Sequence, residues 1–352
     1  MKMSRKGKKI LFISLGVILV TAVSVFLIFK FDVFSKKENI DKPHEETPKP
    51  EVKKLKIVNE DSKTRPYAVM INNLNQARKY QAGLQDAYII YEMIVEGGIT
   101  RYMALFKDMP TTKIGTVRSA RHYYLDYALE NDAYYVHWGW SDQAKYDIQA
   151  LKINNINGLI YGGTYFWKDR TLNIGTEHTA YTNIEKLSAA VDKLGFRKET
   201  NKDLLLNYSV DEINMSEIKN ATLANSVTIN YSSSYVTSYL YDEVTKTYLR
   251  SVNGVAHTDY DTKLQYHFKN IITYKLENNG IAGDNKGRQD IENIGTGNGF
   301  FISNGYSIPI TWKKESRSEQ TKYYYEDGSE LKVNDGNTFI QIEPNNQELI
   351  IA

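Results

Sequence analysis

The chain has 352 residues, no cysteine, 27 tyrosines and a formal net charge of +2. This length suits one large or two ordinary domains, and a content of 41% hydrophobic and 24% charged residues is typical of a globular chain. The lack of cysteine excludes disulfides, thiolate metal ligands, a cysteine nucleophile and a lipid-modified cysteine.

The N-terminal residues predict the cellular location of the protein. Residues 1–9 carry five basic and no acidic side chains, and residues 10–29 contain no charged residue. A helix over residues 10–29 would be about 30 Å long, the thickness of the hydrocarbon core of a bilayer. Because a basic flank stays in the cytoplasm, we predict a cytoplasmic tail over 1–9 and a single transmembrane signal anchor over 10–31. The body then lies outside the cell membrane.

A cleaved signal peptide is the alternative for this segment. We favour the uncleaved anchor because the apolar run is long and no site with small residues at alternate positions follows it. Residues 32–63 hold three of the seven prolines and few large apolar side chains, so they predict a disordered stalk.

The net charge divides unevenly along the chain. Residues 1–63 contain 14 Lys and Arg and 8 Asp and Glu, a net +6, so the remainder carries −4. A mildly acidic body lacks the basic patch of a nucleic-acid-binding protein, and we expect no nucleic-acid partner.

The first part of the body, 64–220, mixes predicted strands and helices. PYAVMIN predicts a strand, and YIIYEMIVE and ITRYMALF flank Gly97-Gly98, the pattern of a hairpin with a two-residue turn. AYYVHWGW predicts a further strand. The predicted helices are one capped by Ser119 and ending near Glu130, one after Asp142, and one from the capping box Thr182–Glu185 to Leu194, ended by Gly195.

The second part, 221–352, consists of short β-like runs separated by Gly, Asn and Asp. The predicted strands are VTINY, VTSYLYD, KTYLRSV, LQYHFKNIITYKL, GFFISNG and TFIQI. Their spacing favours a β-sandwich or barrel-like module. The fold class predicted for the whole chain is therefore α+β, with a mixed α/β domain followed by a mainly β domain.

The hairpin provides the first candidate site. A two-residue turn would place Ile94 opposite Arg101, so that Glu92 and Glu96 share one face of the sheet with Arg101. This pattern fits a solvated charge cluster or an acid pair held by arginine in a cleft. The two backbones would lie about 13 Å apart, farther than the carboxyl separations of glycosidases. A single general acid, Glu92 or Glu96, is therefore easier to build than a pair.

The segment Gly115–Arg121 provides the second candidate site. Arg118 and Arg121 flank a predicted helix start, where cations oppose the helix dipole and call for compensation by a protein carboxylate or an anionic ligand. Strand ends and loops are where sites collect. The candidate ligand-binding residues are Arg101, Arg118, Ser119, Arg121, His137 and His178. No dense metal-ligand spacing occurs, and we predict no metal and no cofactor.

Several blocks of sequence together resemble a known family. These blocks are RPYAVMINN, YEMIVEGGITRYMALF, GTVRSARHYYLDYA and VHWGWSDQA, with FFISNGYSIPITWKKES and TKYYYEDGSELKVNDGNTFIQI near the C-terminus. They look like the YerB-like proteins of Gram-positive bacteria, catalogued as domain of unknown function 3048. Members of that family are typically lipoproteins, whereas this chain lacks the cysteine. The resemblance implies an extracytoplasmic body that the apolar run, rather than a lipid, holds at the membrane.

Two functions fit these predictions. The first is a cell-envelope protein that binds a wall polymer or an envelope partner through a Glu/Arg-lined cleft. The second is a hydrolase or lyase acting on wall glycan, with Glu92 or Glu96 as general acid/base. They differ in geometry, because tight pairing with arginine lowers the pKa of a carboxyl group and removes the proton that an acid catalyst donates.

Overall fold

A central sheet of eleven strands runs through the protein and contains strands from both predicted domains. The computed structural model describes residues 53–352, which form one unit. The predicted cytoplasmic tail, the anchor and the first part of the stalk lie outside the described residues. Within residues 53–352, no helix is both long enough and apolar enough to cross a bilayer.

The described residues are mostly β, with few helices. The strands are β1 Tyr67–Asn72, β2 Ile89–Ile94, β3 Thr100–Phe106, β4 Ile114–Gly115, β5 Tyr134–His137, β6 Asn155–Asn157, β7 Trp167–Lys168, β8 Ala180–Thr182, β9 Asn207–Ser209, β10 Thr222–Leu223, β11 Ser226–Ser232, β12 Tyr235–Asp242, β13 Thr247–Val252, β14 Val255–Ala256, β15 His267–Phe268, β16 Asn270–Leu276, β17 Asn278–Gly280, β18 Gln289–Ile291, β19 Gly295–Ser303, β20 Tyr306–Lys314, β21 Lys322–Tyr324, β22 Lys332–Asn334, β23 Thr338–Pro344 and β24 Leu349–Ile351. The helices are α1 Asn75–Arg78, α2 His122–Glu130, α3 Asp142–Ala150, α4 Gly158–Tyr161 and α5 Ile184–Leu194.

The order of strands in the central sheet is β10-β20-β19-β16-β23-β2-β3-β1-β5-β6, with β21 beside β20. Strand β23 lies between β2 and β16 and is parallel to both. Strands β1, β5 and β6 are also parallel to one another. The sheet therefore continues across the boundary that we predict between residues 220 and 221.

Two hydrophobic cores cover the two faces of this sheet. One core joins the sheet to α2 and α3, through residues such as Tyr124 and Ile148. The other joins it to α5 and to a separate six-stranded sheet of β11–β15 and β24, through residues such as Leu187 and Tyr239. The strands of the predicted β module are thus divided between two sheets that pack face to face.

The predicted helices occur, but two of their caps differ. Helix α2 begins at His122 with Arg121 at the N-cap, and the Ser119 hydroxyl donates instead to the carbonyl of Trp138 over 3.0 Å. Helix α5 is capped by Asn183, whose side chain accepts from the Lys186 N–H, rather than by Thr182. Thr182 cannot cap because it still belongs to β8, and Ser119 lies two residues before the Arg121 N-cap.

The last residues of the predicted stalk pack on the body. Val58 is only 4% exposed and belongs to the core that contains α2. The N–H groups of Lys56 and Ile57 donate to the Asp335 carboxylate over 2.8 and 3.1 Å. Apolar burial and these hydrogen bonds order residues that, by composition alone, look like linker.

Candidate anion-binding site

The candidate residues other than Glu92 meet at one edge of the central sheet, where parallel strands end. Strands β1, β5 and β6 finish there at Asn72, His137 and Asn157. In open sheets with parallel strands, ligands bind outside the carboxyl ends, because the loops that follow the strands converge there. In this protein the loop 95–99 and the extended segment 116–121 reach the same edge.

The hairpin has a different register from the predicted one. Its connection contains five residues, with a 3-10 turn over Glu96–Gly98 and a hydrogen bond from Val95 N–H to Ile99 O of 2.8 Å. Arg101 consequently lies opposite Met93, and Glu92 lies opposite Tyr102. A shift of one residue moves a side chain to the other face. The prediction that Glu92 shares a face with Arg101 is therefore wrong.

Glu96 is held between two arginines. Arg121 binds both of its carboxylate oxygens, with Nη2 donating over 2.7 Å, and Arg101 Nη2 lies 3.8 Å away. Burial by itself would raise the pKa of Glu96, but the hydrogen bonds and charge of Arg121, helped by Arg101, outweigh it and lower the pKa. Glu96 is thus an ionised structural anion at neutral pH, which does not suit a general acid.

Arg101 and Arg118 form the cationic part of the site. Burial lowers the pKa of Arg101 to about 10, and the charge of Arg121 acts in the same direction. Arg101 Nη1 donates to the Ser119 carbonyl over 2.7 Å, and Arg118 Nη1 donates to the Glu177 carbonyl over 2.8 Å. Across residues 53–352, no carboxylate oxygen lies within 4.0 Å of the partly buried Arg118 guanidinium.

His178 stands beside this cluster. Its Nδ1 lies 3.0 Å from the Asn72 side-chain amide, which we take as the donor, and its Nε2 lies 3.5 Å from the Glu177 carboxylate. Burial lowers the pKa of His178, and the charge of Arg118 lowers it further. At neutral pH this imidazole is uncharged and offers one N–H.

Three buried polar atoms on the same elements have no partner within the described chain. They are the Tyr135 hydroxyl, the Thr116 hydroxyl and the Asn157 side-chain nitrogen. Such atoms are uncommon in folded proteins, because each costs about 1–3 kcal/mol of desolvation. All three can donate a hydrogen bond, as an anion requires.

The loops around the edge are positive on an acidic body. Segments 95–101, 116–121, 158–170 and 176–179 contain five Lys or Arg and three Asp or Glu, a net +2. The net charge is +2 for the whole chain and +4 for residues 1–52, so residues 53–352 carry a net charge of −2. This contrast favours an anionic ligand at the edge.

Glu92 belongs to a separate, fully buried network between the two sheets. Its carboxylate accepts from Tyr235 over 2.7 Å, from Arg250 over 2.8 Å, from Gln341 over 3.0 Å and from Thr100 over 2.5 Å. Arg250 also reaches His257, and the chain of contacts continues through Gln81 to the Asn72 carbonyl. Glu92 has no access to a substrate, which argues against a catalytic role.

His137 is a structural residue of this edge. It is fully buried, its Nδ1 lies 2.7 Å from the Gly139 carbonyl, and its Nε2 lies 3.2 Å from the Asn155 side chain. Burial lowers the pKa of His137 to about 4, with partial opposition from the Gly139 contact. The imidazole therefore stays neutral and orders the chain after β5, rather than facing a ligand.

A cavity of about 610 Å³ lies apart from this site, between α2, α3 and the β17–β18 hairpin. None of the predicted site residues lines it. Arg317 in its wall pairs with Asp126 and Asp147 over 2.6 and 2.9 Å, and His122 lies 2.8 Å from Asp290. Arg317 and His122 thus have carboxylate partners, whereas the Arg118 guanidinium has no carboxylate oxygen within 4.0 Å in the described chain. In residues 53–352 no group of three His, Asp or Glu side chains has the arrangement of a metal site.

Sequence reasoning missed Asn72, Tyr135 and Asn157. Asn72 and Asn157 are polar residues at the ends of β1 and β6. A polar residue in that position indicates a ligand site only once the strands are known to be parallel. Tyr135 carried no such signal, because tyrosine suits any half-buried strand.

Comparison with known proteins places the chain in a family. The model described as "Protein of unknown function (DUF3048) N-terminal domain" matches residues 54–197, and the corresponding C-terminal domain model matches residues 227–340. Together they cover more than half of the chain, and the protein therefore belongs to this family.

The relative from Bacillus subtilis (strain 168) is named "Putative lipoprotein YerB". It is 32% identical over 294 residues, which cover 82% of this chain and 84% of the relative. The crystal structure of YerB protein from Bacillus subtilis matches with a TM-score of 0.71 and 28% identity, covering 82% of this chain and 94% of that chain. The family resemblance inferred from the sequence blocks is confirmed.

Proposed function

We propose that this protein binds an anionic component of the cell envelope, either a wall polymer or an envelope partner, through Arg101, Arg118 and Arg121. The observation that carries the proposal is the partly buried Arg118 guanidinium beside the buried Arg101: within the described chain no carboxylate oxygen lies within 4.0 Å of Arg118, and burial lowers its pKa despite the opposing charge of Glu177. Burying a cation costs free energy unless an anion compensates it. A phosphate or carboxylate group bound at Arg118 would supply that compensation with charge-assisted hydrogen bonds.

The proposed location is the outer side of the cell membrane. The name of the Bacillus subtilis relative describes that protein as a lipoprotein, which is a membrane-associated class. In this chain the apolar run over residues 10–29 takes the place of the lipid in our proposal. A body tethered there would meet wall polymers and other envelope proteins.

Binding accounts for the two glutamates better than glycan hydrolysis does. Glu96 is paired with Arg121 and has a lowered pKa, and Glu92 is buried among four hydrogen-bond donors. Glu96 therefore keeps no proton ready for a glycosidic oxygen, and the fully buried Glu92 is out of reach of one. We therefore give both residues the role of positioning the surrounding side chains.

Arg118→Gln should weaken co-sedimentation of the full chain with purified wall sacculi by about tenfold or more. The reason is that a hydrogen bond to a charged group contributes about 1.5–3 kcal/mol, and 1.4 kcal/mol corresponds to a tenfold change in affinity. Lys322→Gln is the matched control, because it removes one positive charge from the half-exposed strand β21.

The proposal also predicts a salt dependence. Binding by the wild type should weaken as ionic strength rises, since salt screens charge attraction. Equal binding by Arg118→Gln and the wild type would contradict the proposal. Fragments released from the sacculi by the wild type, and not by Glu96→Gln, would favour the hydrolase instead.

A further inference from the structure

Two large apolar side chains stand exposed at the tip formed by α4. Leu159 is 62% exposed and Ile160 is 64% exposed, directly after β6 at the same edge of the sheet. Adjacent exposed apolar residues on a fixed loop are a recognised mark of an interaction surface. We call residues 158–164 the α4 tip.

The α4 tip is held firmly from below. The Asn157 side chain accepts from the Leu159 N–H over 3.0 Å and from the Gly139 N–H over 3.2 Å. The Trp138 ring packs so closely beneath the tip that a Cβ atom at Gly158 would lie 2.3 Å from it. Leu159 and Ile160 are therefore presented outward on a supported turn.

Basic side chains flank the tip. Lys168 Nζ lies 4.9 Å from the centre of the Trp138 ring, and Lys186 Nζ donates to the Thr164 carbonyl over 3.3 Å. The segment 158–170 itself contains Lys168, Arg170 and Asp169, a net +1, against −2 for residues 53–352 as a whole. An apolar tip flanked by lysines is suited to an anionic lipid surface, where the apolar groups enter the interface and the cations face the headgroups.

We propose that the α4 tip docks on an anionic lipid membrane, with Leu159 and Ile160 entering the interface and Lys168 and Lys186 facing the headgroups. The proposal goes beyond ligand binding at Arg118 and rests on the predicted anchor. Residues 32–52, between the predicted anchor and the described body, could span at most about 75 Å, so an anchored body would stay within that distance of the membrane. Tethering raises the effective concentration, and a contact made by two apolar side chains then suffices.

The experiment uses the absence of cysteine from the chain. Ile160→Cys and Val244→Cys each introduce one site for an environment-sensitive fluorophore into the full chain. Val244 is 91% exposed after β12 and serves as the control position. Each labelled chain is reconstituted into nanodiscs of phosphatidylglycerol with phosphatidylcholine, or of phosphatidylcholine alone. Co-elution with the discs tests the anchor separately from docking.

We expect the label at position 160 to shift to the blue in anionic discs and to be quenched about twofold by nitroxide lipid, because an inserted group lies about 5–10 Å into the boundary. The label at position 244 should change little. Leu159→Ser in the 160-labelled chain should reduce the quenching, and Lys168→Glu should do the same. Leu159 is exposed and Lys168 is half-buried against the Trp138 ring, so circular dichroism of both variants checks that the fold persists.

An exposed, unquenched label at position 160 in co-eluting anionic discs would overturn docking while leaving the anchor intact. Equal quenching in neutral discs would overturn the role of the lysines. Failure of the chain to co-elute would overturn the anchor and the docking together. None of these results depends on Arg118, so the binding of wall material is tested independently.

Discussion

Glu92→Ala is expected to lower the free energy of unfolding by about 3–5 kcal/mol, because it leaves a buried arginine without its anion. Glu92 and Arg250 are both fully buried, and their charged groups are 2.8 Å apart. The pair joins β2 of the central sheet to β13 of the six-stranded sheet. Without the carboxylate, Arg250 retains only neutral partners such as Tyr239 and His257.

Urea unfolding of the wild type and Glu92→Ala, followed by tyrosine and tryptophan fluorescence, measures this effect. Glu330→Ala is the control, because its carboxylate is half-exposed and surface changes usually stay within about 0.5 kcal/mol. The double variant Glu92→Met with Arg250→Met should recover much of the loss, since it removes both charges. A loss below about 1 kcal/mol in Glu92→Ala would contradict the role assigned to the pair.

Glu343→Gln is expected to stabilise the protein above neutral pH by about 3 kcal/mol. Glu343 is 1% exposed on β23, its Oε2 has no partner in the described chain, and Thr273 donates to its Oε1. Burial raises the pKa of Glu343 to about 7, against the opposing hydrogen bond of Thr273 and the charge of Lys275. Glutamine is neutral at every pH and does not require this proton.

The direction of this pH dependence follows from the number of protons that Glu343 binds in the folded and unfolded states. Between pH 4.5 and about 7 the unfolded chain has lost the Glu343 proton while the folded protein keeps it, so the free energy of unfolding falls as pH rises. Each pKa unit is worth about 1.4 kcal/mol, which gives the figure of about 3 kcal/mol. Below pH 4.5 both states are protonated and the carboxyl group causes no pH-dependent loss.

Unfolding of the wild type and Glu343→Gln at about pH 4.5, 6 and 8 tests this directly. The difference between the two proteins should grow in favour of the variant as pH rises. Glu330→Gln, on the surface, should follow the wild type at every pH. Parallel pH profiles for Glu343→Gln and the wild type would show that the Glu343 carboxyl group titrates normally.

Local sequence signals predicted many individual elements correctly. Strand β1 occupies nearly all of PYAVMIN, and α2 ends at Glu130 as predicted. Helix α5 ends before Gly195, which adopts a φ of 66°, a conformation that glycine reaches without strain. These features depend on alternation, capping residues and glycine, which act over a few neighbouring residues.

Such local signals could not predict which strands pair or in which register. Gly97-Gly98 indicated a turn, but both glycines adopt positive φ inside a five-residue connection, and this moved the register by one position. That single shift separated Glu92 from Arg101. Strand β23 also sits beside β2, about 250 residues away in the chain, which no local pattern indicates.

The sequence by itself determined the lack of cysteine, the apolar run beside a basic N-terminus, the acidic net charge of the body, and the family through its motif blocks. Only the tertiary structure decided which charges compensate one another. Glu96 pairs with Arg121, Glu92 pairs with Arg250, and Arg118 has no carboxylate oxygen within 4.0 Å in the described chain. The physical reason is that electrostatic pairing depends on distances of a few ångströms and on burial, and both are set by long-range strand order.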